Sequence, residues 1–167
     1  AADYNAATQW ILTIFMILFG VNFNVYFLFY VKKWKDGLRC EEARAYFGII
    51  LGSVALISFN IYHLVRNVEL TVRQAAFQVA SIITTTGFGS ADFDQWPEFS
   101  KCIMVLLMFI GACAGSTGGG IKVSRLLILC KSARKELQLY LHPNAVKKIK
   151  MDDKAIPHEV VRATNMF

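Results

Sequence analysis

TVRQAAFQVASIITTTGFGS, Thr71–Ser90, is the stretch on which the fold turns. Thr71-Val-Arg-Gln74 has the spacing of a capping box, a Ser or Thr followed three residues later by Glu or Gln, so a helix is predicted to start at Thr71. Apolar and small residues carry it to Ile83, 13 residues in all, or roughly 20 Å, which is too short to cross a bilayer. Thr84-Thr85-Thr86-Gly87-Phe88-Gly89-Ser90 cannot continue it well, because β-branched residues and glycines are poor helix formers. Asp92, Asp94, Trp96 and Glu98 then read as an outer surface. The segment is therefore expected to enter from outside, stop partway and return to the same side. Non-helical backbone at membrane depth survives only where protein buries it or water reaches it, so such a loop signals function. The alternative is an amphipathic helix on an extracellular loop.

The flanks show why a membrane is in question. Residues 10–31, 45–65 and 102–121 are uncharged over 22, 21 and 20 positions, enough for each to cross a hydrocarbon core of about 30 Å. Trp10 and Tyr30 sit near the ends of the first span, as interfacial aromatics do, and Asn22 and Asn24 inside it are expected to bond neighbouring helices. Gly48, Gly52 and Ser53 give the second span a small-residue face suited to close helix approach, with Asn60 and His63 near its outer end. A third helix is predicted from Pro97 to about Leu141, broken by Gly111-Ala-Cys-Ala-Gly115-Ser-Thr-Gly118-Gly119-Gly120. Five glycines in ten residues oppose a straight helix at about 1 kcal/mol each, and the break falls inside the membrane. The loop has a phosphate-loop frame from Gly115 to Gly120, but Ile121-Lys122-Val123 lacks the required Lys-Ser/Thr and no strand precedes it.

Charge sets the orientation. Residues 32–44 hold five Lys/Arg against three acids and residues 122–167 hold ten against four, while 66–101 hold three against four. The positive-inside rule puts the 32–44 loop and the tail in the cytoplasm and the 66–101 segment outside. Ala145 to Ile156 reads as a small hairpin, and a further helix is predicted from about Pro157. The 18% charged fraction excludes disorder and an ordinary soluble domain. No recognition motif accompanies the basic tail, so nucleic acid is not expected as a partner. Cys40, Cys102, Cys113 and Cys130 are spread without metal-ligand spacing and read as small hydrophobes. No nucleophile–base set or paired carboxylates suggest an enzyme.

What residues 71–89 do offer is ion chemistry. A cation leaving water needs its hydration shell replaced, and inward-facing backbone carbonyls do this without fixed charge. Glycine supplies dihedrals closed to other residues, and a helix C-terminus aims partial negative charge at a cation. The segments 45–65, 71–83 and 97–111 onward thus form the helix–pore loop–helix unit of a potassium channel: an all-α integral membrane fold with one additional preceding transmembrane helix.

Thr84-Thr-Thr-Gly-Phe-Gly-Ser-Ala-Asp-Phe93, together with Gly111-Ala-Cys-Ala-Gly-Ser-Thr-Gly-Gly-Gly-Ile-Lys122, resembles the Trk/Ktr/HKT superfamily of potassium transporters, most of all its bacterial TrkH/TrkG branch. Such proteins fuse four non-identical helix–pore–helix repeats around one pore. The layout implied by the resemblance makes 1–31 a transmembrane helix of a preceding repeat, 32–44 a cytoplasmic loop, 45–141 one repeat, and 142–167 a cytoplasmic tail with the start of a further helix. Within the repeat, 45–65 is a span, 71–83 the pore helix, 84–90 the filter, and 97–141 a broken helix with the glycine-rich loop 112–120. The resemblance implies potassium as substrate at Thr84, Thr85, Thr86, Gly87, Phe88 and Gly89, with the carbonyls of Thr84 to Gly87 facing the ions. It also implies a gate at Gly115, Ser116, Thr117, Gly118, Gly119 and Gly120. On this reading the filter threonines act mainly through their backbone. No cofactor is expected on this chain. The implied partners are membrane lipid, the remaining repeats of the same polypeptide, a second copy of the full-length protein, and a cytoplasmic nucleotide-binding subunit of TrkA type reached through Lys122 to Lys135. The implied location is the bacterial inner membrane, multi-pass. Two other readings fit the filter alone: a small channel of four identical chains, and a non-conducting membrane scaffold. The extra first span and the shortened last helix favour a fragment of a longer chain over the channel of four identical chains.

Overall fold

A computed structural model describes residues 4–141, 150–152, 154–156 and 158–165. The described residues are mostly helical: α1 (Ala6–Phe19), α2 (Phe23–Tyr30), α3 (Trp34–Arg39), α4 (Glu41–Val65), α5 (Val68–Ile83), α6 (Glu98–Phe109), α7 (Val123–Leu141) and α8 (His158–Asn165). One turn of 3-10 helix covers Phe93–Gln95.

α4 is continuous, 25 residues long, and long and apolar enough to cross a membrane. Of the other two stretches, the first is expected to cross unbroken and does not, while the third is broken as its glycines predict. The first bends by 90° between α1 and α2. Glycine permits the bend: a Cβ on Gly20 would lie 2.1 Å from the Tyr46 hydroxyl, and that tyrosine, fully buried on α4, donates to Ile17 O at 3.1 Å. Asn22 then starts α2 as its N-cap, its Oδ1 accepting from Asn24 N at 2.8 Å. Asn22 also bonds another helix, as expected, whereas the Asn24 side chain is exposed. The third stretch stops at Phe109 and resumes at Val123, so its break is wider than the 112–120 loop read from the glycines.

Three other boundaries move. The 32–44 loop contains α3, and α4 begins at Glu41 rather than Ala45. α5 begins at Val68, not Thr71, because Arg66 in a left-handed conformation (φ 53°) ends α4 and Asn67 caps the next helix, accepting from Leu70 N at 3.3 Å. Thr71 instead donates its hydroxyl to Asn67 O at 2.7 Å. The predicted hairpin is only β1 (Lys150–Met151) and β2 (Lys154–Ala155), paired antiparallel, and its expected start at Ala145 lies outside the described residues.

α5 sits at the centre. Its residues from Ala75 to Ser81 are all buried, as are Thr71 and Ile83, so it is a core helix and not an amphipathic helix on a surface loop. α4 packs on it through Tyr46, Ile50, Ile57 and Ile61, and α6 through Met104 and Leu107. α1 closes another side, where Trp10 Nε1 donates to Glu69 Oε1 at 3.3 Å and Met16 meets Phe77. Asn60 Oδ1 accepts from Ser100 Oγ at 2.7 Å, so that polar position finds its partner on α6. The periphery carries Phe15, Phe27, Leu51, Phe59, Leu106 and Phe109, all exposed, as hydrocarbon would favour. Gly48 and Gly52 lie on the exposed side of α4, and a Cβ there would meet nothing within 4 Å. The expected close approach at these glycines is therefore not made by the described residues.

Candidate functional site

α5 ends at Thr84, its C-cap, and the chain curls back over the helix end. Thr85 N donates to Ile82 O at 3.0 Å, and Thr86 N and Gly87 N both donate to Ser81 O at 2.9 and 3.4 Å. Carbonyls that would be orphaned at the helix terminus thus hold the loop. Thr84 Oγ1 donates to Ala80 O at 2.7 Å and lies 2.8 Å from Thr86 Oγ1. Two residues take left-handed dihedrals: Thr85 at φ 56° and Gly87 at φ 80°. Nothing lies within 4 Å of a Cβ on Gly87, so glycine is required there by dihedral and not by space. A β-branched threonine at positive φ is a strained choice, and the bonds of its own hydroxyl hold it. Gly89 lacks a positive φ, and an added Cβ would rest 4.0 Å from Gln78 Nε2. The same Gln78 pins the return path, donating to Ala91 O at 2.6 Å. Residues Thr85 to Gly89 are exposed, Phe88 among them, while Thr84 and Ser90 are buried.

The glycine-rich loop folds directly against this segment. Gly111 N donates to Ile121 O at 2.8 Å and Ile121 N to Phe109 O at 3.2 Å, which closes the loop at its base. A Cβ on Gly111 would lie 1.9 Å from Gly119 O, so only glycine permits this crossing. At the tip Gly119 N donates to Thr85 Oγ1 at 2.8 Å, and Thr85 Oγ1 itself donates to Thr84 O at 2.7 Å. A Cβ on Gly118 would sit 3.3 Å from Thr84 O and 2.7 Å from Ala112 Cβ. Gly115 and Gly120 take positive φ, and Ser116 Oγ donates to Cys113 O at 2.6 Å. Thr117 Oγ1 donates to Phe19 O at 3.3 Å, and Cys113 N to Gly20 O at 3.1 Å, so the loop also rests on the break between α1 and α2.

All twelve residues singled out from the sequence therefore lie in two segments that touch. The Thr85 hydroxyl adds a contact that sequence reasoning did not anticipate, because it is the bridge between the segments. Lys122 donates to Gly118 O and Lys131 pairs with Glu41, so two of the basic residues expected to face a cytoplasmic partner are engaged within the chain.

Sequence reasoning missed Glu42, which it counted only as a loop charge. Glu42 is 3% exposed. Its Oε1 accepts from Ala114 N at 2.6 Å and Ser124 N at 3.1 Å, and its Oε2 from Asn22 Nδ2 at 3.2 Å. A signal was present, since Glu42 is in phase with Tyr46, Ile50, Ile57 and Ile61, the buried stripe of α4.

Among the described residues no group of three His, Cys, Asp or Glu is placed to hold a metal. Comparison with known proteins is direct. The family model described as TrkH, cation transport protein, matches residues 2–166. The Trk system potassium uptake protein TrkH of Escherichia coli strain K12 is 36% identical over an alignment of 159 residues that covers 92% of this chain and 32% of that protein. TrkG of the same strain is 30% identical over 155 residues, 92% of this chain and 32% of its own length. The crystal structure of the potassium transporter TrkH from Vibrio parahaemolyticus superposes with a TM-score of 0.86 at 33% identity, covering 97% of this chain and 36% of that one. The chain thus spans about a third of the length of the relatives it matches.

Proposed function

The chain belongs to the TrkH cation transport family, and from that premise we propose that it supplies one repeat of a potassium-translocating pore. It lies in the bacterial inner membrane, where α4 crosses and α5 enters from the outer side. Thr84 to Gly87 present backbone carbonyls to the ion, continued outward by Phe88 and Gly89, and replace water around potassium. The other sides of the ion cage come from further repeats of a longer polypeptide. Beneath them, Gly115 to Gly120 obstruct the path in the closed state and move aside to open it. Glycine-rich backbone suits this role because it deforms without side-chain clashes. Potassium is the cargo, no cofactor is assigned to the chain, and the process is transport without a covalent step. The full-length protein pairs with a second copy and with a cytoplasmic nucleotide-binding subunit, the latter reached through the basic face of α7.

One observation carries the reading. The Gly119 N to Thr85 Oγ1 bond puts a glycine-rich loop in contact with the inner end of a Thr-Thr-Thr-Gly-Phe-Gly segment. Relatives named as potassium uptake proteins match across both segments and support it. The test is Gly87→Ser in the full-length protein. Ser at φ 80° is strained, so the carbonyl ring distorts and potassium-over-sodium permeability falls by about tenfold, an energy of about 1.4 kcal/mol. Bi-ionic reversal potentials measure it, and an unchanged ratio removes the filter assignment.

A further inference from the structure

We infer that the Glu42 carboxylate is the latch of the glycine-rich loop, a positioning residue that holds the closed state. The inference rests on the loop being the gate proposed above. Glu42 lies in the first turn of α4, and one of its oxygens accepts both from within the break and from the helix that follows it: Ala114 N at 2.6 Å and Ser124 N at 3.1 Å. Ser124 is in the first turn of α7, where a helix offers amides with no internal partner and the positive end of its dipole. The other oxygen accepts from Asn22 Nδ2 at 3.2 Å, at the bend between α1 and α2. A single buried carboxylate therefore joins three chain breaks: the start of the loop, the helix that resumes after it, and the bend on which the loop rests. A buried charge is tolerable only when its acceptor capacity is used, and three donors use it here.

The latch is itself held in position. Glu41 N donates to Asp152 Oδ1 at 2.7 Å, and the Glu41 carboxylate pairs with Lys131 of α7. A loop that swings away from the filter segment while α7 keeps its place must give up Ala114 N, so opening breaks a charge-assisted bond. Asn22 cannot compensate by turning over, since its Oδ1 already caps α2 at Asn24 N.

These contacts make Glu42→Gln informative. The side chain keeps its shape and one acceptor oxygen for the two amides. It loses the charge and sets an amide N–H against Asn22 Nδ2. Charge-assisted bonds are roughly twice as strong as neutral ones, so in the full-length transporter recorded in planar bilayers Glu42→Gln raises open probability by about tenfold. The potassium-over-sodium ratio stays within about twofold of wild type, because the filter carbonyls are untouched. Glu42→Ala, which removes all three bonds, raises open probability further. A merely structural role would reduce the number of active channels and lower thermal stability without raising the open probability of each channel. Deletion within Ala112–Gly119 is the companion measurement. Unchanged open probability in Glu42→Gln alongside raised flux in the deletion overturns the latch and leaves the gate standing. No change in either overturns the gate, and the latch with it. A shifted potassium-over-sodium ratio in Glu42→Gln also overturns the latch, since Glu42 would then act on the filter.

Discussion

Thr85→Val isolates the bridge between the two segments. Valine keeps the β-branched shape at φ 56°, so backbone strain is held nearly constant while the hydroxyl is removed. Two hydrogen bonds disappear: the one accepted from Gly119 N at 2.8 Å and the one donated to Thr84 O at 2.7 Å. Only the first joins the two segments, so only it bears on the proposed opening. Gly119 is exposed, so water replaces the lost partner and the full penalty of a buried orphan does not apply. The net cost to the closed state is then about 0.5–1.5 kcal/mol, or a shift toward open of roughly two- to tenfold. Single-channel recording of the reconstituted full-length protein reads this as open probability, with Thr85→Ser as the control. Serine retains the hydroxyl and stays within about twofold of wild type. Equal behaviour of the valine and serine variants would refute the bridge, whichever direction both moved.

Deleting several residues between Ala112 and Gly119 is expected to raise potassium flux in proteoliposomes while leaving selectivity largely intact; unchanged or lower flux from a folded variant counts against a gate. Gly20→Ala puts a methyl 2.1 Å from the Tyr46 hydroxyl, in a fully buried setting, and is expected to lower stability by about 1–3 kcal/mol. Thermal unfolding of the full-length protein in detergent measures this, and the paired Gly20→Ala/Tyr46→Phe variant, which removes the hydroxyl, should recover part of the loss.

Local chemistry made much of this protein legible without coordinates. A helix too short to span, running straight into Thr84-Thr85-Thr86-Gly87-Phe88-Gly89, announces itself through periodicity, length and the poor helix propensity of those last six residues. The interruption at 111–120 does so through five glycines. The exact starts of α4 and α5 were less legible, because Asn67 competes with Thr71 for the cap and only the left-handed turn at Arg66 decides between them. The 90° bend after Phe19 was hidden in an unbroken apolar run. It is accommodated at Gly20, where the Tyr46 ring of another helix leaves no room for a Cβ, and no window along the chain contains both residues. The same holds for the site. Glu42 meets Ala114 across 72 residues and Ser124 across 82, while Thr85 meets Gly119 across 34. The sequence by itself determined which segments leave the helix and which residue types they carry, because those properties depend on near neighbours. Tertiary structure alone decided that these segments touch and that one buried carboxylate ties their supports together. Hydrogen bonds form between groups brought within about 3 Å, and only the folded packing of α1, α4, α5 and α7 brings them there.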